Sequence, residues 1–237
     1  MTMLSNLPNL PARRVQLVDS FDALVGTPMV GDINALCWQR ELAGDFAEVV
    51  AALDVGAGIT SLSAETLRGL RLSPEGRQAV TCLLEDLERL DAHGLQPSLD
   101  CINGYTHAPQ PGPVRTDVCS FHVDSATVET DTYLCTYHGA PSWGLLNEEA
   151  VRRIDQPDTR AALLREYGGT DDEAFHEWLE EHFYDLHYAP LPGAQPYAFG
   201  TGHLWRIATL WPGCAVPPCI HRAPDPVPGE QRLLLIG

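Results

Sequence analysis

The sequence predicts a mainly β fold, an antiparallel barrel or sandwich with flanking helices, and three observations point to it. Short runs rich in Val, Thr, Tyr and Phe follow one another from Leu99 to His138. Strand-like runs return after Pro190 as PYAFGTG, HLWRIATL, CIHRA and QRLLLIG, separated by Gly and Pro. Between the two groups lies a helical stretch, and strands on both sides of a helical insert fit antiparallel sheets better than a parallel sheet wound with helices.

Taken in order, residues 1–97 read as a mainly helical part. Asn34 to Leu53 can place Leu36, Cys37, Phe46, Val49, Val50 and Leu53 on one side of a helix, weakened in its middle by Gly44. A second helix has Ser73 as its cap, Pro74 at its first position, a stripe of Val80, Leu83, Leu84, Leu87 and Leu90, and Gly94 as its end. Residues 98–237 then form the β core, divided first by the PQPGP loop at Pro109 to Pro113. The helical insert spans about 147–187, with Asn147 and Asp158 as caps and Thr170 to Glu173 as a capping box before Phe175, Trp178, Leu179 and Phe183. No repeat or long linker divides the chain, so one domain over 1–237 is expected.

A net charge of -17 repels phosphate backbones and anionic membrane surfaces, which argues against nucleic acid and membranes as partners. No run approaches about 18 apolar residues, so no membrane span is expected. The start, MTMLSNLPNLPARRVQLVDS, lacks the basic and apolar segments of a secretion signal, and a cytoplasmic location is expected. Seven cysteines without a CxxC pair read as reduced thiols.

The chemistry concentrates in two stretches. In DVCSFHVD, strand alternation puts Ser120, His122 and Asp124 on one side and Cys119, Phe121 and Val123 on the other. Two ligands at that spacing leave a metal site incomplete, and a third must come from elsewhere. The second stretch, CIHRAPDPVPGEQRLLLIG, carries His221 on a short strand and Arg232 at the opening of the last. GxSxG, HExxH and Gly-rich phosphate-loop patterns are absent, which leaves hydrolase, kinase and nucleotide-cofactor readings unsupported.

FHVD, followed at long range by His221 and about ten residues later by Arg232, resembles the iron(II)/2-oxoglutarate-dependent oxygenases, whose double-stranded β-helix (jelly-roll, cupin-like) core carries HxD…H. More closely, the chain is similar to a small bacterial family of unknown function with FHxD…TYxG in the middle and HRxP…RLLL at the end, here FHVD, TYHG, HRAP and RLLL. The likeness runs from about Asn34 to Gly237, and the turn APSWG after TYHG departs from the family pattern.

The resemblance implies a non-haem iron dioxygenase that uses iron(II), 2-oxoglutarate and dioxygen on a small-molecule substrate. His122, Asp124 and His221 match its metal triad, with three positions left for cosubstrate and dioxygen. Arg232 matches the residue that pairs with the distal carboxylate of 2-oxoglutarate. An aspartate in the triad argues against halogenation. Tyr133 and Tyr137 share a strand face and are candidates to reach the cosubstrate, with core packing as the other reading. Trp143 is a candidate to line the substrate entrance.

Other histidines and cysteines offer rival readings. His138 is a strand-end polar residue or a ligand, His176, His182 and His187 are expected to be solvated, and His107 and His203 adjoin turns with either role open. Cys214, Cys219 and His221 lie close in sequence and Cys119 lies near His122, so a zinc site of mixed Cys and His ligands is the metal alternative. The functional alternative is a non-catalytic, cupin-like metal-binding protein holding zinc or iron.

Overall fold

The computed structural model describes residues 10–105 and 112–237; His107, the start of the chain and most of the PQPGP loop lie outside these. In chain order the elements are β1 (Val15–Val18), α1 (Phe21–Gly26), β2 (Ala35–Trp38), α2 (Phe46–Ala52), β3 (Gly58–Ser61), α3 (Ala64–Gly69), α4 (Pro74–Ala92), β4 (Ser98–Asn103) and β5 (Asp131–His138). They continue with β6 (Trp143–Leu145), β7 (Ala150–Arg152), α5 (Pro157–Tyr167), α6 (Glu173–Glu181), β8 (Tyr188–Pro190), β9 (Tyr197–Ala198), β10 (Leu204–Ala208), β11 (Ile220–Arg222) and β12 (Arg232–Ile236). With 30% helix beside a seven-stranded sheet, the class is mixed α and β instead of mainly β.

The expected helix from Asn34 to Leu53 is half strand. Leu36 packs toward the helices while Ala35 and Cys37 pack on the opposite side, so ALCW is buried on both faces. Such a run shows no alternation by which to tell strand from helix. Helix begins only at Phe46, where the Asp45 carboxylate accepts the Glu48 N–H at 2.9 Å. Gly44 marks the approach to α4: its φ is +112°, and a Cβ there would lie 2.3 Å from the Ala79 nitrogen.

Helix α4 follows the sequence closely. Ser73 Oγ accepts the Gly76 N–H at 3.1 Å, Pro74 opens the helix, and Val80, Leu83 and Leu90 are buried. The insert is helical with different caps. Asn147 opens only a 3-10 turn, its side chain held by Asn34 at 2.8 Å and Pro218 O at 3.0 Å. Asp158 sits within α5, and Asp172, not Thr170, caps α6 by accepting the Phe175 N–H at 3.2 Å.

The large sheet has the order β1-β2-β10-β5-β12-β4-β3, antiparallel throughout except between β1 and β2. One face carries Leu36, Leu99, Cys135, Leu204 and Leu235 against Leu24, Val49, Leu67, Leu83 and Leu90 of the helices. The other carries Cys37, Leu134, Trp205 and Ile207, which meet Leu146, Phe199 and Cys219 at the strand ends of the smaller sheet β11-β6-β9. Burial of this scale, at about 25 cal/mol per Å² of apolar surface, makes the two-faced sheet the frame of the molecule.

Residues Phe121 to Val123 form no full strand. His122 makes isolated bridges to His221 on one side and to His187 on the other. His122 and His221 exchange two backbone hydrogen bonds of 2.9 Å, while Tyr188 N–H bonds Phe121 O at 2.8 Å and Val123 N–H bonds Leu186 O at 3.1 Å. This short segment therefore joins the β7-β8 pair to β11 and the smaller sheet.

Candidate metal centre

The pairing of His122 with His221 places both rings on one face of the smaller sheet, with centroids 4.6 Å apart. Each ring is fixed from behind. His122 Nδ1 bonds Ser120 O at 2.8 Å and His221 Nδ1 bonds Cys219 O at 3.2 Å. A carbonyl oxygen only accepts, so Nδ1 carries the proton in both rings and Nε2 is the nitrogen turned toward a metal. Orientation of a ligating imidazole by a backbone carbonyl is the usual support for a metal-binding histidine.

Asp124 completes the group from two residues along the chain. Its Oδ1 lies 3.7 Å from His122 Nε2 and its Oδ2 3.7 Å from His221 Nε2. Those separations are too long for hydrogen bonds, so the three side chains converge without bonding one another. All their ligand atoms lie within 4.8 Å of one another, and this is the only such group of three or more among the described residues. Two imidazoles and a carboxylate fit a divalent transition metal by donor type and by spacing.

The carboxylate is itself held. Thr132 Oγ1 of β5 donates to Asp124 Oδ2 at 2.6 Å and stands 3.2 Å from Thr209 Oγ1. The Leu210 N–H bonds Asp124 O at 2.8 Å, which ties the backbone there to the end of β10. Burial pulls the Asp124 carboxyl upward, but His221 and the Thr132 hydroxyl outweigh it and hold it below the usual range. Burial, and then His221, bring His122 down from its ordinary 6.5 to about 4. Near neutral pH the cluster is thus charged on the carboxylate and neutral at His122.

Arg232 lies on the same side of the large sheet as Thr132. Strand β5 turns Tyr133, Cys135 and Tyr137 to the helices and Leu134 to the smaller sheet, so Thr132 and Thr136 share the second side. Arg232 Nη2 donates to Thr136 Oγ1 and to Ser142 Oγ, both at 2.8 Å, and Tyr105 lies beside it. The residue is 6% exposed, its Nε has no partner, and no acid pairs with it among the described residues. Burial depresses its pKa. Gly139 of TYHG permits this packing: with φ +83°, a Cβ there would lie 2.6 Å from Gln231 O and 3.1 Å from the Arg232 Cα.

Several expectations are corrected. Tyr133 and Tyr137 face away from the cluster, into the helical core, where Tyr137 stacks on Phe46 and donates to Asp86 at 2.6 Å. Trp143 shares its sheet side with Leu145, which packs with Val123 and Ile220 on the face opposite the imidazoles. No cysteine joins the metal-ligand group among the described residues: Cys119 Sγ contacts Pro224 O at 3.4 Å and Cys219 packs in the apolar core. His203 is structural, its Nδ1 accepting the Arg40 N–H at 3.3 Å, whereas His176 and His182 are exposed.

His187 overturns the expectation of a solvated residue. It is 4% exposed, its ring centroid is 5.8 Å from that of His122, and its Nδ1 has no partner among the described residues. Burial, and then His122, bring it from 6.5 to about 4. Nothing local in HFYDLHYAP signals this, because only the pairing with Phe121 to Val123 brings His187 beside His122. A cavity of about 260 Å³ opens here, lined by Asp117, His122, Asp124, Ser125, Leu186 and His187.

No protein-family model, curated protein or solved structure matches this chain. The functional reading therefore rests on the motifs and on the cluster they form. No helix among the described residues is long and apolar enough to cross a membrane.

Proposed function

We propose that the protein is an iron(II)- and 2-oxoglutarate-dependent oxygenase of a small-molecule substrate, its two facing sheets forming the halves of a jelly-roll core. The observation that carries this reading is Arg232, a buried guanidinium without an acid partner among the described residues, on the sheet side that also holds the His122, Asp124 and His221 cluster. An unpaired buried charge costs several kcal/mol, so a site that retains one is built for an anion that arrives from outside.

Spacing and charge both favour a short dicarboxylate. Thr132 and Thr136, which hold Asp124 and Arg232, are four residues apart on one strand, about 13 to 14 Å along its axis. That interval, shortened by whatever length the side chains at its two ends take up, suits a five-carbon acid between a metal and a guanidinium. A divalent ion with one carboxylate ligand keeps one positive charge, and Arg232 adds another, which together match the two negative charges of 2-oxoglutarate. The Thr136 and Ser142 hydroxyls orient the guanidinium for a fork-to-fork contact.

Bound iron would supply dioxygen activation and the oxidative decarboxylation of 2-oxoglutarate to succinate and carbon dioxide, coupled to oxidation of the substrate. His122, Asp124 and His221 would hold the ion, with Ser120 O, Cys219 O and Thr132 keeping the ligands aimed. The apolar layer of Leu134, Trp205 and Ile207 keeps water from the interior between the sheets.

Anaerobic purification followed by metal analysis and optical spectroscopy tests the proposal. About one iron per chain, with a weak visible band that appears on adding 2-oxoglutarate, is expected. Tightly held zinc with no response to 2-oxoglutarate would replace this reading with that of a non-catalytic metal-binding protein.

A further inference from the structure

The smaller sheet carries a row of side chains that extends past the triad. Gly144 stands opposite His221, His221 opposite His122, and His122 opposite His187. The β7-β8 register pairs Arg152 with Tyr188 and continues to Arg153 opposite His187, where the Arg153 N–H bonds His187 O at 2.8 Å. His187, His122 and His221 therefore occupy one line on one face, and Arg153 follows the end of that line.

The two residues at the far end of that line are polar and unmatched. Side-chain polar atoms buried without a partner among the described residues belong to Ser120, Arg153, His187 and Arg232. Arg232 has its anion under the proposed function, whereas Arg153 Nε and His187 Nδ1 have none. The guanidinium of Arg153 makes no hydrogen bond or ion pair with any described residue. The neighbouring Arg152 shows the contrast, since it pairs with Asp155 at 2.9 Å. The acid nearest the His187 end of the cavity, Asp117, is already engaged by Arg115 at 2.6 Å and by the Cys119 N–H at 2.9 Å.

We propose that Arg153 and His187 form the binding site for a carboxylate group of the primary substrate, beside the metal cluster and distinct from the Arg232 site. This rests on the oxygenase reading for what happens to the substrate, but not for the binding itself. The cavity of about 260 Å³ is lined by His187, His122 and Asp124 and admits a small molecule whose carboxylate lies at the His187 end, where Arg153 adjoins through its N–H bond to His187 O, and whose carbon chain extends toward the cluster. One guanidinium with a buried Nε–H suits the planar, singly charged carboxylate better than a phosphate dianion, which one cation leaves half neutralised.

The test follows the arginine Nε–H resonances of the full chain by nuclear magnetic resonance, with Arg153 assigned by its loss in Arg153→Lys. Propionate and the neutral isostere propionamide are titrated into protein loaded with zinc and 2-oxoglutarate, and separately into metal-free protein. Propionate is expected to move the Arg153 signal and to bind about 10-fold or more tightly than propionamide, a preference that Arg153→Gln abolishes and His187→Gln weakens. Addition of 2-oxoglutarate to the zinc-loaded chain should move the Arg232 signal and leave Arg153 in place. Equal binding of the two probes, a preference that survives Arg153→Gln, or 2-oxoglutarate acting on Arg153 would overturn the proposal. If the chain takes up no metal, the oxygenase reading fails alone, because the metal-free titration still decides the carboxylate site.

Discussion

Cys135 and Thr136 are neighbours on β5, and each touches a buried arginine on its own face of the large sheet. On the helical face Arg40 reaches Cys135 Sγ at 3.7 Å, while its two Nη groups grip the Asp86 carboxylate, one at 2.7 Å and the other more closely. Tyr137 and Arg89 bond the same carboxylate at 2.6 and 2.8 Å. Burial alone would depress the Arg40 pKa, but the hydrogen bond it donates to Asp86 reverses this and holds it raised. On the other face Arg232 has only hydroxyls among the described residues, and burial depresses it. A buried cation that serves the fold brings its anion with it; one that serves a ligand leaves the place open.

The sharpest way to break that comparison is to remove the charge on each face. Asp86→Ala strands Arg40 and should cost about 3 to 5 kcal/mol in urea unfolding. Arg232→Met, measured without ligand, should fall within about 1 kcal/mol of wild type or be more stable, because it deletes an uncompensated charge. Equal losses for the two variants would mean that Arg232 is structural.

Acid should act on the ligand-facing side. His122 and His187 have folded pKa values of about 4, below their ordinary 6.5, so the unfolded chain takes up protons that the folded chain refuses. Stability of the metal-free protein is then full above pH 6.5 and falls as pH drops toward 4, by up to about 3 kcal/mol for each histidine. A series of urea midpoints across that range checks this. His187→Phe should flatten the slope, and an unchanged slope would place the proton uptake elsewhere.

Metal affinity sharpens the picture at the cluster. His122→Ala, Asp124→Ala and His221→Ala should each lose more than about 100-fold in zinc or iron affinity while staying folded, since water can fill the freed position. Thr132→Val removes the hydroxyl contacts to Asp124 and Thr209 and should cost about 10-fold. Competition with a chromophoric chelator orders the four variants, and near-wild-type affinity in the three ligand variants would end the assignment.

How much was legible in the sequence follows from the range of the interactions. Helix α4 could be read because Ser73, Pro74 and its leucine stripe act within a few residues of one another. His122, Asp124, His221 and Arg232 were legible through their motifs, and the structure brings the first three together. The strand at Ala35 was hidden because both of its faces are buried, and Tyr133 and Tyr137 stayed open between cosubstrate contact and core packing because parity alone does not say which face meets the helices. His187 and Arg153 were illegible for a different reason. Their significance comes from the register of β7 and β8 against an irregular segment at His122, which no local pattern encodes.

The most direct test of the claim that Arg232 is the seat of a ligand anion is a titration of 2-oxoglutarate into anaerobic, iron-loaded protein and its Arg232 variants, read by the visible band and by succinate release. Loss of the partner of a buried charge costs about 3 to 5 kcal/mol, which is roughly 100-fold or more in affinity. Arg232→Met should hold iron as wild type does yet need at least about 100-fold more 2-oxoglutarate, with Arg232→Lys recovering only part because an ammonium lacks the planar fork. An Arg232→Met titration that overlays the wild-type curve would contradict the account.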